Sequence, residues 1–397
     1  MAKQLATADE LFVTAKDVKK IIIDQMVRWK TIACENRELL AEFYKTVTQL
    51  NKIFISLGTN RGSFSEQLQQ VEHMVKTQEA DVAVCEILLE ILDEMLLAVI
   101  WYRQDYCLIR RQDDCAGLAS HFITNLGQIV LSLDQGYIPY VDTMDVENVL
   151  TPISRELQVN AWELYFGQPF GVTKENVLQG RNHVMLTGIP ATRPSYNMDC
   201  LGNRNIMQMW KRVQRKYMPL SGKMMERIAQ EKKRCLEPVG TAKIMGVLCR
   251  GTDYTSLQPQ GHPVQPRPKD LLVRVEQKME EFGCEYCYLA TEDKGILQLF
   301  QERLGESVLY TQEQYYDSQV EELLSFYNRK HDVPLHTKNQ EYLVALALLA
   351  ECNCLIAGRT SGTIAALLFA DEFEYVDIWN DGFYGVDSEM ERRGYII

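Results

Sequence analysis

The sequence lacks several features that define whole classes of protein. No run of residues approaches the roughly 20 uninterrupted apolar residues of a membrane-spanning helix. Positive charge is not in excess, because 42 Lys and Arg stand against 54 Asp and Glu, for a net charge of −12. Non-specific nucleic-acid binding needs a basic surface. We therefore expect no transmembrane segment and no nucleic-acid partner. The first residues also lack the apolar stretch of a secretory signal, which predicts a cytoplasmic protein.

Metal-binding and nucleophile motifs are scarce as well. The eleven cysteines are scattered through apolar runs, which predicts reduced, buried thiols. Cys284 and Cys287 form a CxxC pair, but no second pair follows at zinc spacing. The six histidines form no H-E-x-x-H, and neither a nucleophile elbow nor a G-x-G-x-x-G is present. We predict no metal and no cofactor, and find no support for an oxidoreductase or a serine hydrolase.

Apolar residues recur at three- and four-residue steps through the first 100 residues. Two series, over 18–50 and 68–96, predict two long helices joined by a turn at 57–63. We therefore predict a helical region over 1–104, packed as a hairpin. It is either a cap on the next domain or, as the second choice, a means of forming a homodimer through residues 1–100.

Strands and helices alternate after residue 105, which predicts α/β domains with mainly parallel sheets. We place one domain at 105–240 and a second at 241–397. The first contains an apolar helix within 115–135 and a short strand at 138–142. The second contains strands at 242–249, 285–291, 307–310, 353–358 and 374–379, and helices at 268–282, 293–303, 339–352 and 363–370.

The segment CRGTDY, residues 249–254, follows a predicted strand. Ligands bind at the carboxyl ends of strands in open α/β sheets. Arg250 is a fixed cation whose guanidinium suits phosphate oxygens. Gly251 lets a ligand approach the backbone closely. The alternative is a surface ion pair between Arg250 and Asp253.

A second strand end lies in AGRTSGTIAALL, residues 357–368, where a helix begins near Thr363. Backbone N–H groups at a helix start attract anions, and Ser361 and Thr363 add hydroxyl donors. The lysine of a Walker loop is absent. Ordinary capping by Thr360 or Ser361 is the alternative.

Two carboxylates are the remaining candidate site residues after these strand ends. Asp293 follows the strand at 285–291, where it either caps the next helix or faces a nucleotide or ribose. Glu341 lies in the first turn of the helix at 339–352, where the helix dipole favours a carboxylate in any case.

Taken together, these segments resemble the fucosyltransferase superfamily, which includes the α-1,6-, nodulation and protein O-fucosyltransferases. The family motif H-V-R-R-x-D corresponds to residues 248–253 and places Arg250 on its donor-phosphate arginine. His262-Pro263-Val264 is similar to the family's His-Pro-Ile, and 288–293 to its Y-L-A-T-D-D. Residues 354–367 resemble F-L-V-C-T-F-S-S and place Ser361 on a phosphate-contacting serine. Residues 117–129 look like the acceptor-side loop and helix.

The resemblance implies a GT-B fold with two Rossmann-like domains. It also implies inverting, metal-independent transfer of a sugar from a nucleoside-diphosphate donor such as GDP-fucose to a glycan or lipid-linked saccharide, as in polysaccharide biosynthesis. On this hypothesis Arg250 and Asp253 are catalytic, and His121 and Asn125 lie on the acceptor side. The donor-binding set is Arg250, His262, Asp293, Glu341, Thr360, Ser361, Gly362 and Thr363.

Some positions depart from the family pattern. Gly251 stands in place of the second motif arginine, and Gln258 in place of the carboxylate base of the α-1,6 enzymes. Ala345 stands where the family has a guanine-reading aspartate, which Glu341 would replace. The base is then Asp253 or an acidic residue of the N-terminal half, or the transition state is dissociative enough to need little help from a base. A non-catalytic nucleotide-sugar-binding partner protein and a helical assembly scaffold are the two rival functions.

Overall fold

The computed structural model describes residues 37–56, 64–77, 81–103, 105–113, 115–180, 182–311, 315–317, 322, 324–331 and 333–386. They form two compact units. One contains the described part of residues 1–107 together with 132–139 and 174–184, and the other contains 108–131, 140–173 and the described part of 185–397. The domain borders predicted at 104 and 240 stay predictions.

Three helices are described in the N-terminal region: α1 (Arg37–Ser56), α2 (Ser65–Thr77) and α3 (Asp81–Arg103). Both α1 and α2 pack against α3. Their apolar stripes are buried, as at Val47 on α1 and Leu92 on α3. The second predicted helix is therefore two helices, which corrects the two-helix hairpin. The predicted helical residues before 37 and the predicted turn at 57–63 lie outside the described residues.

One cysteine corrects a sequence expectation. Cys85, on α3, is disulfide-bonded, whereas nine cysteines are free, eight of them buried. Disulfides persist mainly in oxidising compartments, so the predicted cytoplasmic localisation stays a prediction. None of the helices that the structure describes has both the length and the apolar character needed to traverse a bilayer.

The smaller sheet has three strands in the order β2-β1-β3. They are β1 (Asp105–Ile109), β2 (Ile138–Val141) and β3 (Asn182–Leu186). Helix α4 (Leu118–Asp134) connects β1 to β2, as the apolar run predicts. The short helices α5 (Thr151–Leu157) and α6 (Lys174–Leu178) lie between β2 and β3.

The larger sheet is fully parallel and has the order β6-β5-β4-β7-β8. The central strand β4 therefore comes first in the sequence, and the chain reverses direction across the sheet between β6 and β7. This order is that of a Rossmann-type sheet. The predicted α/β class, with two sheets after a helical region, is confirmed. The strands are β4 (Ile244–Leu248), β5 (Tyr286–Ala290), β6 (Val308–Leu309), β7 (Cys354–Gly358) and β8 (Tyr375–Trp379).

Helices cover this sheet, and their ends follow local sequence signals. Pro268 occupies the first turn of α11, and Gly283 ends that helix with a φ of +67°. The predicted helices at 339 and 363 begin earlier, at Leu335 and Ser361. The helices are α7 (Met198–Leu201), α8 (Arg204–Tyr217), α9 (Gly222–Cys235), α10 (Thr252–Leu257), α11 (Pro268–Phe282), α12 (Lys294–Leu304), α13 (Leu324–Lys330), α14 (Leu335–Leu349) and α15 (Ser361–Phe369).

A buried aromatic cluster joins α4 to the end of α15. The ring of Phe122 on α4 lies 5.2 Å from that of Phe166 and 5.4 Å from that of Phe369. The ring of Trp162 lies 4.6 Å from that of Phe166, with the two planes tilted by 32°. Such pairs contribute about 0.5–1.5 kcal/mol each beyond their buried area. The cluster therefore fixes α15 against the N-terminal α/β segment.

Candidate functional site

The two sharpest sequence segments meet at the switch point of the larger sheet. Arg250 follows β4, and Thr360 follows β7, and these two strands are hydrogen-bonded neighbours. The connections leave β4 and β7 in opposite directions across the sheet, which opens a crevice at their carboxyl ends. Tyr342 on α14 lies at this point, because its hydroxyl fills the space where a Cβ on Gly362 would stand. The crevice between Arg250 and the start of α15 is the candidate site.

Arg250 is already engaged within the protein. Its Nε donates to Glu292 Oε1 at 3.1 Å, and its Nη2 donates to Asp253 Oδ1 at 3.0 Å. The guanidinium lies over the Tyr254 ring, 4.8 Å from its centroid. Burial alone would lower the pKa of Arg250, but the two carboxylates raise it well above its usual value. The Arg250–Asp253 pair considered from the sequence is present, with Glu292 as a second partner.

Glu292 is a site residue that the sequence reasoning missed. Its Oε1 accepts from Arg250 Nε at 3.1 Å, Gly251 N at 3.1 Å and Thr252 Oγ1 at 2.9 Å. The strand register explains the contact, because Leu248 on β4 pairs with Ala290 on β5. Arg250 and Glu292 each lie two residues beyond that pair. The contact between Glu292 and Arg250 could therefore be predicted from the sequence only if the pairing of β4 with β5 were already known.

The residue between the motif arginine and aspartate has an unusual backbone. Thr252 has a φ of +44° and is fully buried. A β-branched residue in this region is a true outlier and costs of the order of 1–3 kcal/mol. Its N–H donates to Asp293 Oδ2 at 3.3 Å, and its hydroxyl donates to Glu292. Contacts with two carboxylates thus hold the strained turn in place.

Asp253, the predicted catalytic residue, has both oxygens occupied. Oδ1 accepts from Arg250, and Oδ2 accepts from the Leu324 N–H at 3.1 Å. Its side chain is 7% exposed. The structure places Asp253 as a fixed partner of Arg250, and its role as a base stays a prediction.

Asp293 adopts the capping role that was the alternative from the sequence. Its Oδ1 accepts from the Ile296 N–H at 3.0 Å and so caps α12. Its Oδ2 accepts from Thr252 N, and the residue is 2% exposed. Contact of this carboxylate with a nucleoside stays a prediction.

The start of α15 leaves one of its hydroxyls available. Thr360 Oγ1 caps the helix by accepting from Thr363 N at 3.1 Å, and Thr363 Oγ1 donates to Gly358 O. Both threonines are buried. Ser361 is half-buried, and the described chain offers its hydroxyl no hydrogen bond. Of the four predicted residues at this turn, Ser361 is the one whose hydroxyl is free to meet a ligand.

His262 contacts Tyr254, the residue whose ring lies under the Arg250 guanidinium. Its Nδ1 is 3.1 Å from Tyr254 Oη, and the two rings pack edge to face. Burial raises the pKa of Tyr254 to about 12, although Arg250 opposes the shift. Burial also lowers the pKa of His262, against the effect of Asp253. His262 supports the wall of the site through Tyr254.

Glu341 and Lys338 form an ion pair near the start of α14. The Lys338 Nζ lies 2.8 Å from Glu341 Oε2, with the two side chains 13% and 14% exposed. Lys338 also lies over the Tyr316 ring at 5.1 Å. Ala345 is buried one turn later, and its methyl group has no polar atom that could read a base. A nucleoside contact through Glu341 would therefore involve Lys338 as well.

The two predicted acceptor residues are buried on α4. His121 and Asn125 are 1% and 2% exposed, and neither His121 Nε2 nor Asn125 Oδ1 has a hydrogen-bond partner. Burial lowers the pKa of His121 to about 3, and Arg111 acts in the same direction. The structure places both side chains in the interior rather than on an open surface. Their part in acceptor binding stays a prediction.

Arg111 is a second buried cation that the sequence reasoning missed. It follows β1 and is 5% exposed. Its Nη1 donates to Thr124 Oγ1 at 2.9 Å, and its Nη2 donates to Asp113 Oδ2 at 2.6 Å. Asp113 in turn accepts from the Ala116 N–H at 2.9 Å. Arg111 thereby ties the loop before α4 to that helix.

No cluster of metal-binding side chains is found in the part of the chain that the structure describes. Groups of three or more His, Cys, Asp or Glu placed to hold an ion are absent there. The three carboxylates beside Arg250 instead accept hydrogen bonds from protein donors.

Comparison with known proteins gives matches in structure only. No family model matches the chain, and no curated protein does. It is similar to NodZ α-1,6-fucosyltransferase soaked with GDP-fucose, at 13% identity and a TM-score of 0.39, over 67% of this chain and 93% of that one. Fucosyltransferase NodZ from Bradyrhizobium matches at 13% identity and a TM-score of 0.40, over 67% and 94%. POFUT1 in complex with GDP matches at 8% identity and a TM-score of 0.37, over 72% and 99%.

Proposed function

We propose that this chain is a glycosyltransferase that binds a nucleoside-diphosphate sugar in the crevice between β4 and β7. The observation that carries the proposal is the convergence of Arg250 and the start of α15 on the switch point of a parallel sheet. Such points are where α/β sheets bind nucleotides. GDP-fucose is the first donor to test, because the motif resemblance points to it.

The chemistry follows from the charge of the leaving group. Breaking the sugar–phosphate bond leaves a diphosphate that gains negative charge. Arg250 and the N–H groups at the start of α15 would stabilise that charge without a metal, and the Ser361 hydroxyl would add a donor. Loss of one such preorganised donor costs about 10²–10³-fold in rate. The sugar passes with inversion to an acceptor hydroxyl, whose proton is taken by a carboxylate base or by solvent. For the acceptor we propose a glycan or lipid-linked saccharide.

A second candidate function is a non-catalytic nucleotide-sugar-binding protein. It is favoured by the hydrogen bonding of Asp253, because both carboxylate oxygens of that residue already accept hydrogen bonds from the protein. Gln258, at the end of α10, is an amide and cannot act as a base. Donor binding without transfer or hydrolysis, with every glycan acceptor tried, would favour this function over the enzyme.

Calorimetric titration of the full chain with GDP, UDP, ADP, CDP and CMP tests the proposal. One diphosphate should bind, and Ser361→Ala and Arg250→Lys should each weaken it by about tenfold, the value of one charge-assisted hydrogen bond. Arg274→Ala is the matched control, because Arg274 also pairs with a carboxylate, Asp377, but is 43% exposed on α11. Equal affinity in all four proteins, or no binding of any nucleotide, would remove the proposal.

A further inference from the structure

The proposed diphosphate site already holds an anion of the protein itself. Three donors of different kinds converge on one oxygen, Glu292 Oε1: the Nε of Arg250, the N–H of Gly251 and the hydroxyl of Thr252. Their distances of 2.9–3.1 Å are those of ordinary hydrogen bonds. A guanidinium and a main-chain N–H aimed at one point make a seat for an oxyanion.

The local charge makes simultaneous binding of a diphosphate unfavourable. Asp253 and Glu292 both pair with Arg250, and a third carboxylate, Asp293, accepts from the nearby Thr252 N–H. A diphosphate would bring further negative charge into a largely buried site, where charges interact more strongly than in water. One carboxylate must therefore leave the guanidinium before the ligand takes its place.

Glu292 is the carboxylate that can leave. Asp253 is held by the Leu324 N–H, and Asp293 caps α12. Glu292 is 17% exposed, compared with 7% for Asp253. Its Oε2 accepts no hydrogen bond from the described residues. Its main chain is anchored, since its carbonyl accepts from the Tyr316 N–H at 2.8 Å, so only side-chain torsions need change.

We propose that Glu292 is a built-in competitor for the donor diphosphate, and that its Oε1 marks the seat of a non-bridging phosphate oxygen. The side chain moves into solvent when the diphosphate binds, and the three donors pass from carboxylate to phosphate. This inference rests on the function proposed above. Glu292 then influences the affinity for the donor, because its side chain has to leave the site before the diphosphate binds.

The test is the affinity of the full chain for inorganic pyrophosphate and for GDP, measured by calorimetry. Glu292→Gln keeps the shape of the side chain but removes its charge, so it should bind both ligands about tenfold more tightly than the wild type, or better. Glu276→Gln is the matched control: Glu276 pairs with Arg303, Nε to Oε1 at 2.6 Å, on α11 and α12, away from the crevice. It should leave both affinities unchanged.

The outcomes separate the two proposals. Equal or weaker binding by Glu292→Gln, with binding by the wild type, overturns the competitor and leaves the proposed function standing. Binding of neither ligand by either protein overturns both. Thermal unfolding confirms that the variant is folded. If Glu292→Gln does not fold, Glu292→Ala also removes the carboxylate and should show the same gain in affinity.

Discussion

Gly251 lies in direct contact with Asp293, so that a Cβ on residue 251 would stand 2.6 Å from the Asp293 Cβ. Real Cβ atoms do not approach this closely. The same carboxylate caps α12 and accepts from Thr252 N. The place where the family motif has its second arginine is thus closed to any side chain, and Arg250 is the only arginine that the motif supplies.

Gly251→Ala should therefore destabilise the protein by about 1–3 kcal/mol, the usual cost of overpacking. Asp293→Gly removes the obstructing side chain; glycine at the N-cap costs only a few tenths of a kcal/mol, and the lost hydrogen bond from the buried Thr252 N–H adds to that cost. The double variant should lose less stability than the two single losses together. Urea unfolding of the four proteins measures this coupling. Gly188→Ala is the control, because a Cβ there meets nothing within 4 Å; additive losses would contradict the contact.

Arg250→Ala should destabilise the protein strongly, because it leaves Glu292 and Asp253 without their buried cation. Breaking one partner out of a buried ion pair costs about 3–5 kcal/mol. Adding Glu292→Gln should restore part of the loss, since one uncompensated charge disappears. Arg274→Ala should cost less than about 1 kcal/mol, because the Arg274 side chain, which pairs with Asp377, is 43% exposed. Similar losses in Arg250→Ala and Arg274→Ala would contradict the buried network.

Tyr342 and Gly362 form a second pair, like Asp293 and Gly251, in which a side chain fills the space that a Cβ on the glycine would need. A Cβ on Gly362 would overlap the Tyr342 hydroxyl, and that Cβ would also lie 3.3 Å from Leu346 Cδ2. Gly362→Ala should therefore lower the midpoint of thermal unfolding. Tyr342→Phe removes the obstructing oxygen, so it should rescue most of the loss when the two changes are combined. If Tyr342→Phe makes no difference to the effect of Gly362→Ala, the hydroxyl does not occupy that space.

The buried His121 should make stability depend on pH. Burial lowers its pKa to about 3, so between about pH 6.5, the usual histidine pKa, and pH 3 the unfolded chain binds a proton that the folded protein does not. The free energy of unfolding then falls as the pH falls, by up to about 1.4 kcal/mol per pH unit from this group. His121→Gln should show a shallower fall between pH 6 and pH 4 in denaturant titrations. Parallel curves for the two proteins would mean that His121 is protonated in the native state.

The larger sheet could be predicted from the sequence because its signals are local. The strand over 244–248 is a continuous apolar run, and Pro268 and Gly283 mark both ends of α11. Only part of the candidate site could be predicted in this way. Arg250 and Ser361 each follow a strand and could be recognised from their own sequence segments. Glu292 lies 42 residues from Arg250, and its role depends on which strands pair.

Other features of the structure also depend on contacts between residues that are distant in the sequence. His121 and Asn125 lie in the interior on α4, and Arg111 forms polar contacts beside that helix with Thr124 and Asp113. The sequence around Asp293 is compatible with a helix cap and with a ligand contact. The folded structure is needed to show which hydrogen bonds this residue makes. Tyr342 gave no local signal, since its importance comes from its position opposite Gly362.

The aromatic cluster around Phe122 has a consequence for how loss-of-function variants should be interpreted. Helix α15 has nine residues and is about 13 Å long, with Ser361 at the crevice and Phe369 against Phe122. A helix this short behaves as a rigid rod, so a shift at its far end is transmitted to its near end. A genetic screen for weakened ligand binding should therefore recover changes at Phe122, Trp162 and Phe166, although all three residues are fully buried.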